Sequence, residues 1–247
     1  MSFDGQHVVV IGASAGIGEA TAKAFAARGA AVTITGRSKD RLDQAAERIG
    51  LPVQVAEADS TDRAALDAFF AAMGTVDHLV LAASPGPAGA GPIAGLDTTA
   101  LRQAFDGKFF AHVNAVQAAL PHLRTDGSVT FITAASARAA FAGTAGLAAA
   151  NGALEAMIPP LAVELAPVRV NAVSPGVIDT HWCDSMPGDQ RQAYFSAVAA
   201  STPVRRVGTP EDVADAVVYL AGAGFVTGAV LECTGGVNLT AAALAAT

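Results

Sequence analysis

The chain has 247 residues, 52% of them hydrophobic and only 15% charged, which suits one large α/β domain with a substantial core and some surface buried between subunits. Its formal net charge of -7 argues against nucleic acid and anionic membranes as partners. No signal peptide precedes the first apolar run, and the longest apolar tracts are interrupted before about 18 residues, so we expect a cytoplasmic protein without a membrane span.

Strand and helix patterns alternate along the whole chain. Seven short apolar runs are typical of strands, and six longer stretches between them are typical of helices. This alternation predicts an α/β fold with a Rossmann-type, doubly wound parallel sheet of about seven strands and helices on both faces, as a single domain over residues 1–247. The predicted strands are Val8–Ile11, Ala31–Thr35, Val53–Ala56, His78–Ala82, Ser128–Thr133, Val168–Val173 and Val230–Cys233. The predicted helices are Gly16–Arg28, Lys39–Ile49, Arg63–Met73, Leu101–Leu123, Gly143–Leu165 and Pro210–Leu220.

The first strand leads into a glycine-rich loop that opens the first helix. Glycine has no Cβ, so the backbone of this loop can turn tightly and approach a ligand closely. The free N–H groups and the positive dipole end of the helix favour a phosphate, and ligands of such sheets bind beyond the carboxyl ends of the strands. The loop therefore predicts a nucleotide site, whose contacts are Gly12, Ser14, Ala15, Gly16, Ile17 and Gly18.

The residues after the second strand discriminate between nicotinamide cofactors. Arg37 and Ser38 stand where an acidic residue would bind the ribose hydroxyls of NAD, and no acid occurs before Asp40. Because an arginine accommodates a 2′-phosphate, the sequence favours NADP(H); the alternative is a solvated arginine at a helix start. Asp59, at the end of the third strand, either accepts a hydrogen bond from the adenine amino group or caps the next helix.

Further motifs complete an ordered set along nearly the whole chain. The Gly12-x-x-x-Gly16-Ile17-Gly18 and Gly36-Arg37-Ser38 motifs are followed by Gly152–Leu165, Arg169–Gly176 with Thr180, Gly208–Ala214 and Gly235-Gly236. On these residues the chain resembles the short-chain dehydrogenase/reductase family. The resemblance implies hydride transfer between a nicotinamide and a carbonyl or alcohol substrate. Together with the expectation that ligands bind at the carboxyl ends of the strands, the resemblance extends the predicted cofactor contacts. The added residues are Ala82, Ala83, Pro175, Gly176, Ile178 and Thr180.

The resemblance also implies four catalytic groups that this chain lacks. Alignment places the family's tyrosine at Leu147, its lysine at Asn151, its serine at Ala134 and its asparagine at Lys108. A leucine cannot transfer a proton, and an alanine side chain cannot donate a hydrogen bond. The usual proton transfer of the family therefore cannot operate in this protein.

Three functions are compatible with this loss. The first is an NADP(H)-dependent oxidoreductase with another proton donor: Lys108 is the leading candidate because burial can lower its pKa, and His112, one turn later, could assist it. The alternatives are a surface cation for Lys108 and a packed or solvated helix residue for His112. The second function is a cofactor-binding sensor or partner subunit without turnover, and the third is a non-redox enzyme that reuses the pocket. Weaker candidates for substrate or ribose hydrogen bonds are Ser136, Thr133, Asn151 and His181.

The segment His181–Thr202 occupies the place of the family's variable substrate lid. Its side chains would suit an apolar or ring-containing small molecule as substrate. The alternative is that these side chains only pack the lid onto the rest of the domain. The resemblance implies a homodimer or homotetramer formed through two helices, and Pro159-Pro160 is expected to kink or break the second of these. Neither the cysteines, Cys183 and Cys233, nor the five histidines have metal-ligand spacing, so we expect reduced thiols and no metal. The apolar lid residues are Trp182, Met186, Tyr194 and Phe195.

Overall fold

Strands and helices alternate in the computed structural model, which describes residues 1–181 and 186–240. The strands are β1 (His7–Ile11), β2 (Ala31–Gly36), β3 (Gln54–Glu57), β4 (Val76–Leu81), β5 (Leu123–Ile132), β6 (Arg169–Pro175) and β7 (Val230–Cys233). The helices are α1 (Gly16–Ala26), α2 (Lys39–Ile49), α3 (Arg63–Met73), α4 (Thr98–Ala104), α5 (Ala111–Ala119), α6 (Ala145–Glu164), α7 (Gly188–Ser201) and α8 (Pro210–Gly222).

The seven strands form one parallel sheet in the order β3-β2-β1-β4-β5-β6-β7. The chain winds outward from β1 in one direction and then from β4 in the other, so the two halves meet between these strands. In open α/β sheets the ligand crevice lies at this point, beyond the carboxyl ends of the strands. The predicted fold class is therefore confirmed, and the topology places the Gly12–Gly18 loop at the crevice.

Successive residues of the central strand β1 are buried in two separate cores. Val8 and Val10 pack with side chains of α1, α2 and α8 on one face of the sheet, whereas Val9 and Ile11 pack with side chains of α3, α5 and α6 on the other. These four side chains are at most 1% exposed. Because helices cover both faces, the strand is apolar at every position rather than at alternate ones.

The stretch predicted as one helix over Leu101–Leu123 is divided in the structure. A π-helical turn, Phe105–Phe110, separates α4 from α5. The chain then leaves α5 through a short turn that contains Pro121, and β5 begins at Leu123. The predicted helix is thus too long at its carboxyl end, because proline cannot donate the next helical hydrogen bond. A π-helical turn within a helix is frequent at functional sites, and this one contains Lys108.

Helix α6 is continuous across Pro159 and Pro160, so the prediction that they break it is wrong. Both prolines are exposed. The flanking Leu154 and Ile158 are fully buried against the sheet. Packing of this buried face holds the helix together where two backbone donors are missing, since tertiary packing supplies most of the stability of helices in proteins.

By length and composition, α6 is also the one helix among the described residues that could cross a membrane. The expectation of no membrane span rests on interruptions of the apolar tracts by glycine, proline or charge, and in α6 these are too few to exclude a span on hydropathy alone. In the structure this helix packs on the sheet, and Asn151 and Glu155 lie on its buried side. One side of the helix thus belongs to the core, while only 33% of its apolar window is buried inside the structure.

Candidate functional site

The Gly12–Gly18 loop lies against the ends of two other segments of the crevice. Gly12 has a φ of +84°, and a Cβ there would lie 2.5 Å from the backbone nitrogen of Ala83, the second residue after β4. A Cβ on Gly16 would lie 3.4 Å from the methyl carbon of Thr180. The loop, Ala83 and Thr180 are thus brought together as predicted. No side chain caps α1 at Ala15, so the first N–H groups of this helix are available to a phosphate.

An arginine that sequence reasoning missed fixes this loop. Arg48, in the last turn of α2, donates from Nη2 to the backbone carbonyl of Ser14 over 3.1 Å. The same guanidinium forms an ion pair with Glu19 of α1, with Nη2 2.7 Å from Oε2. Two separate contacts from α2 therefore hold the loop and the first turn of α1. No pattern in the sequence indicates these contacts, because the partners are 34 and 29 residues apart.

Arg37 is exposed at the carboxyl end of β2. Nothing in residues 1–181 or 186–240 forms an ion pair or hydrogen bond with its guanidinium, so this cation is available to an anionic ligand. Ser38 caps α2, because its Oγ accepts from the backbone N–H of Arg41 over 3.4 Å. The hydroxyl of Ser38 thus already has a structural role beside the proposed phosphate position.

The interpretation of Asp59 as a helix cap is wrong. Helix α3 is capped by Asp62, which accepts from the backbone N–H of Ala65. Asp59 lies three residues earlier and accepts from the backbone N–H and the hydroxyl of Thr61, over 2.9 Å and 2.8 Å. Its carboxylate therefore stabilises the turn ahead of the helix, and a second carboxylate oxygen is available for the adenine contact that remains a prediction.

The segment after β6 turns over the same edge of the sheet. A Cβ on Gly176 would lie 2.9 Å from the Cα of Thr234, so only glycine lets the two backbones approach here. Ile178 forms an isolated parallel bridge with Gly208, which fixes the chain between Pro175 at the end of β6 and Thr180 beside the glycine loop. The predicted contacts of this segment are thus gathered at one edge.

Lys108 is directed from the π-helical turn toward the end of β5. Its Nζ donates to the backbone carbonyl of Thr133 over 3.4 Å, next to Ala134, the residue predicted at the family's serine position. The side chain is partly buried. Burial lowers the pKa of Lys108 to about 8, and the negative charge of Glu155 opposes this decrease. The alternative that Lys108 is a cation on an exposed helix face is therefore wrong.

His112 is fully buried one turn beyond Lys108. Its Nε2 lies 3.0 Å from the carbonyl oxygen of Ala83 and donates to it. Burial, together with the positive charge of Lys108, lowers the pKa of His112 to about 3. The ring is therefore neutral and holds the segment after β4. The solvated alternative is excluded, the packed one agrees with the structure, and a role in proton transfer remains a prediction.

Asn151, which sequence alignment predicts at the family's lysine position, lies on the buried side of α6. Its Nδ2 donates to the backbone carbonyl of Leu147 over 2.9 Å and lies 3.4 Å from the Oγ of Ser136. Within the described part of the chain, its Oδ1 is buried without a hydrogen-bond partner. A buried acceptor of this kind is costly unless a ligand hydroxyl satisfies it. Asn151 and Ser136 are thus adjacent, as a shared binding role requires.

A buried carboxylate completes this cluster, and sequence reasoning missed it. Glu155, one turn after Asn151, accepts from the hydroxyl of Thr133 over 2.8 Å and from Nε of Arg138 over 2.7 Å. Its side chain is 8% exposed. The available signal was an acidic residue in the middle of an otherwise apolar helix, whose other carboxylate, Glu164, is its last residue. The cluster of Lys108, Thr133, Asn151 and Glu155 has the polar groups that Ala134 and Leu147 do not supply.

The predicted lid contains a helix that the sequence pattern did not reveal. Within α7 only Val198 is buried, and the side chain of Tyr194 is 38% exposed. The rings of Tyr194 and Phe195 are 5.9 Å apart, and the guanidinium of Arg191 lies over Phe195. The helix therefore presents aromatic surface beside the crevice segment. Met186 is partly buried, His181 is exposed, and Trp182 and Cys183 lie outside the described residues.

The sequence and the fold of this chain are similar to those of known proteins. A family model described as enoyl-(acyl carrier protein) reductase matches residues 12–238. The short-chain dehydrogenase/reductase ATR9 of Stachybotrys chlorohalonatus is 31% identical over 95% of this chain and 98% of its own length. A small-chain dehydrogenase solved in complex with NADPH has a TM-score of 0.82 and 31% identity, over 96% of this chain and all of its own. A 7α-hydroxysteroid dehydrogenase solved with NADH and 7-oxo glycochenodeoxycholic acid has a TM-score of 0.83 and 26% identity, over 95% of both chains.

Proposed function

Because this chain belongs to the short-chain dehydrogenase/reductase family, we propose that it is an NADP(H)-dependent oxidoreductase in which Lys108 transfers the proton. The substrate is a carbonyl compound or the corresponding alcohol. The observation that carries this proposal is the ammonium of Lys108 at the carboxyl end of β5, 3.4 Å from the Thr133 carbonyl. By sequence alignment, Lys108 itself takes the place of the family's asparagine, and the nearby Ala134 takes the place of its serine.

The residues of the crevice fit a dinucleotide. The glycine loop leaves room that a Cβ would fill, and the N–H groups of α1 can bind the pyrophosphate. The unpartnered Oδ1 of Asn151 can accept a hydrogen bond from a nicotinamide ribose hydroxyl. Arg37, with no partner in the described structure, favours the 2′-phosphate of NADP over the bare ribose of NAD. Of the two relatives solved in complex, one binds NADPH and the other binds NADH. The proposal of NADP(H) for this chain therefore rests on Arg37.

Lys108 is suited to proton transfer near neutral pH. The nicotinamide supplies or accepts the hydride at the substrate carbon. As the carbonyl oxygen becomes an alkoxide, Nζ of Lys108 gives it a proton and becomes the neutral amine, and the amine regains a proton from water. A pKa of about 8 keeps most of the side chain protonated at pH 7 while leaving the proton easy to lose. In the oxidation direction the amine form accepts the proton of the alcohol.

The surroundings suggest the class of substrate and the assembly. We propose a small apolar or ring-containing substrate under a lid formed by His181–Thr202, because α7 exposes Tyr194 beside Phe195. We also propose one domain over residues 1–247, a cytoplasmic location and a homodimer or homotetramer. The outer side of α6, with Ala149, Ala156 and Val163 exposed, supplies an apolar surface for subunit contact.

A protein that binds NADP(H) without turnover is the second candidate. Ala134 and Leu147 at the serine and tyrosine positions favour it, because neither side chain can bind or protonate a substrate oxygen. Such a protein would act as a sensor or as the partner subunit of an active relative. It shares the cofactor site with the first candidate and differs only in the role of Lys108.

Incubation of the purified protein with NADPH and a broad panel of ketones and aldehydes separates the candidates. We expect oxidation of NADPH with at least one carbonyl, and a loss of kcat by a factor of about 10² to 10⁴ in Lys108→Met. Lys23→Met, an exposed lysine of α1, is the matched control and should retain activity. Tight NADPH binding without oxidation would support the second candidate, and absence of NADPH binding would contradict both.

A further inference from the structure

One residue, Thr133, lies between Glu155 and Lys108 and forms a hydrogen bond with each of them. The hydroxyl of Thr133 donates to Oε1 of Glu155 over 2.8 Å, while the backbone carbonyl of the same threonine accepts from Lys108. The hydroxyl has a single proton, and its other neighbour, the carbonyl of Val173, is farther away at 3.3 Å. Thr133 therefore orients the carboxylate on one side and the ammonium on the other.

The charges around Lys108 are few. On its own π-helical turn Asp106 is exposed, and on α5 His112 is buried and neutral. Glu155 on α6 is the carboxylate that acts on the pKa of Lys108, raising it against the effect of burial. Opposite charges interact more strongly at a buried site than in water. A change in the charge of Glu155 is thus felt directly at Nζ.

Arg138 forms an ion pair with the same carboxylate. Its Nε donates to Oε2 of Glu155 over 2.7 Å, and its Nη1 lies 3.7 Å from Oε1 of Glu232 on β7. Half of the arginine side chain is exposed, whereas the carboxylate of Glu155 is almost fully buried. Arg138 compensates the buried negative charge from the solvent side and so weakens its effect on Lys108.

We propose that Glu155 is a positioning residue that holds Lys108 as an ammonium across Thr133, and that Arg138 moderates this hold. The inference rests on the proposed function, in which Lys108 transfers the proton. It adds that Glu155 and Arg138, neither of which needs to touch the substrate, set the pH range over which the reaction proceeds. In reduction, kcat/KM falls as pH rises through the pKa of the donor.

Trace labelling with acetic anhydride tests this without any turnover. The amine form alone is acetylated, so the labelling rate of each lysine against pH gives its midpoint by peptide mass spectrometry. The chain has three lysines, and Lys23 and Lys39 serve as internal references in the same digest. We expect the Lys108 midpoint near pH 8 in the wild type, and lower by about one pH unit in Glu155→Gln, because the ammonium loses its counter-charge.

Two further variants serve as the control and as a test for a shift of the Lys108 midpoint in the opposite direction. Glu164→Gln changes an exposed carboxylate of the same helix and should leave the Lys108 midpoint unchanged. Arg138→Gln should raise the midpoint, because Glu155 then loses its competing cation. A merely structural disturbance has no reason to move the midpoint in opposite directions in the Glu155 and Arg138 variants.

An unchanged Lys108 midpoint in folded Glu155→Gln would overturn the proposal. If this variant does not fold, Arg138→Gln alone decides. An unchanged or lower Lys108 midpoint in that variant would contradict the proposal that Arg138 weakens the effect of Glu155. With an active substrate in hand, the alkaline limb of the kcat/KM profile should move with the labelling midpoint. Failure of the proposed function is a separate result, namely equal turnover by wild type and Lys108→Met, because labelling reports on Lys108 whether or not it transfers the proton.

Discussion

The guanidinium of Arg48 donates to the backbone carbonyl of Ser14 while it pairs with Glu19. The last turn of α2 thereby holds the loop that turns its N–H groups toward the proposed phosphate. A loop held in its binding conformation loses less entropy when the ligand binds. We therefore expect this contact from α2 to strengthen binding of the proposed cofactor.

We expect Arg48→Met to raise the Kd of NADPH about fivefold, which corresponds to roughly 1 kcal/mol for one lost hydrogen bond. Fluorescence titration of NADPH measures this. Arg28→Met is the matched control, since Arg28 also bonds one carbonyl, that of Ala24, and pairs with one carboxylate, that of Asp215. Equal affinities of wild type and Arg48→Met would show that the loop needs no support from α2.

Arg37→Ala should weaken NADPH binding about tenfold to a hundredfold and leave NADH binding unchanged, because only NADPH presents a phosphate to this side chain. Isothermal titration with both cofactors gives the ratio. Arg102→Ala removes another exposed arginine, on α4, and should change neither affinity. A parallel loss for NADPH and NADH in Arg37→Ala would contradict the assignment of the 2′-phosphate.

Gly12→Ala should destabilise the protein far more than Gly5→Ala. Both glycines have a positive φ, +84° and +74°, so both variants incur the left-handed strain of about 1–2 kcal/mol. Only at Gly12 does the new Cβ meet another backbone, 2.5 Å from the nitrogen of Ala83, whereas nothing lies within 4 Å at Gly5. Urea unfolding of both variants measures the difference, and equal losses would refute the close approach.

The stability of the protein should fall as pH decreases from about 6.5 to about 4. Burial lowers the pKa of His78 to about 4, so the unfolded chain binds a proton in this range and the folded chain does not. The contribution is complete above the unfolded value of 6.5 and amounts to about 3 kcal/mol when fully lost.

Urea unfolding at a series of pH values checks this slope. In His78→Gln the free energy of unfolding should depend less on pH between 4 and 6.5, although the variant also loses the contacts of the ring with Ser128 and Gln6. Above pH 6.5 the curves of variant and wild type should be parallel. An unchanged slope in the acidic range would show that His78 is not the group that takes up the proton.

The cofactor half of the site could be predicted from the sequence to a large extent. Gly12, Arg37 and Thr180 follow strands whose carboxyl ends share one edge, so the order of elements alone brings them near each other. The proposed catalytic half could be predicted only in part. The sequence singles out Lys108, whose role in proton transfer stays a prediction, but not its neighbours Arg138 and Glu155, since nothing in a sequence states which carboxylate a buried cation will face.

The fold and the glycine loop follow from the order of residues, because both depend on local patterns: strands that are apolar throughout, helices with a buried side, and positions where only glycine lets backbones approach. The burial of Lys108, the continuity of α6 through its prolines and the hydrogen bond from Arg48 to Ser14 depend on how distant segments pack. Lys108, Thr133 and Glu155 come from three different elements, and the electrostatic environment that sets a pKa exists only once the chain has folded them together.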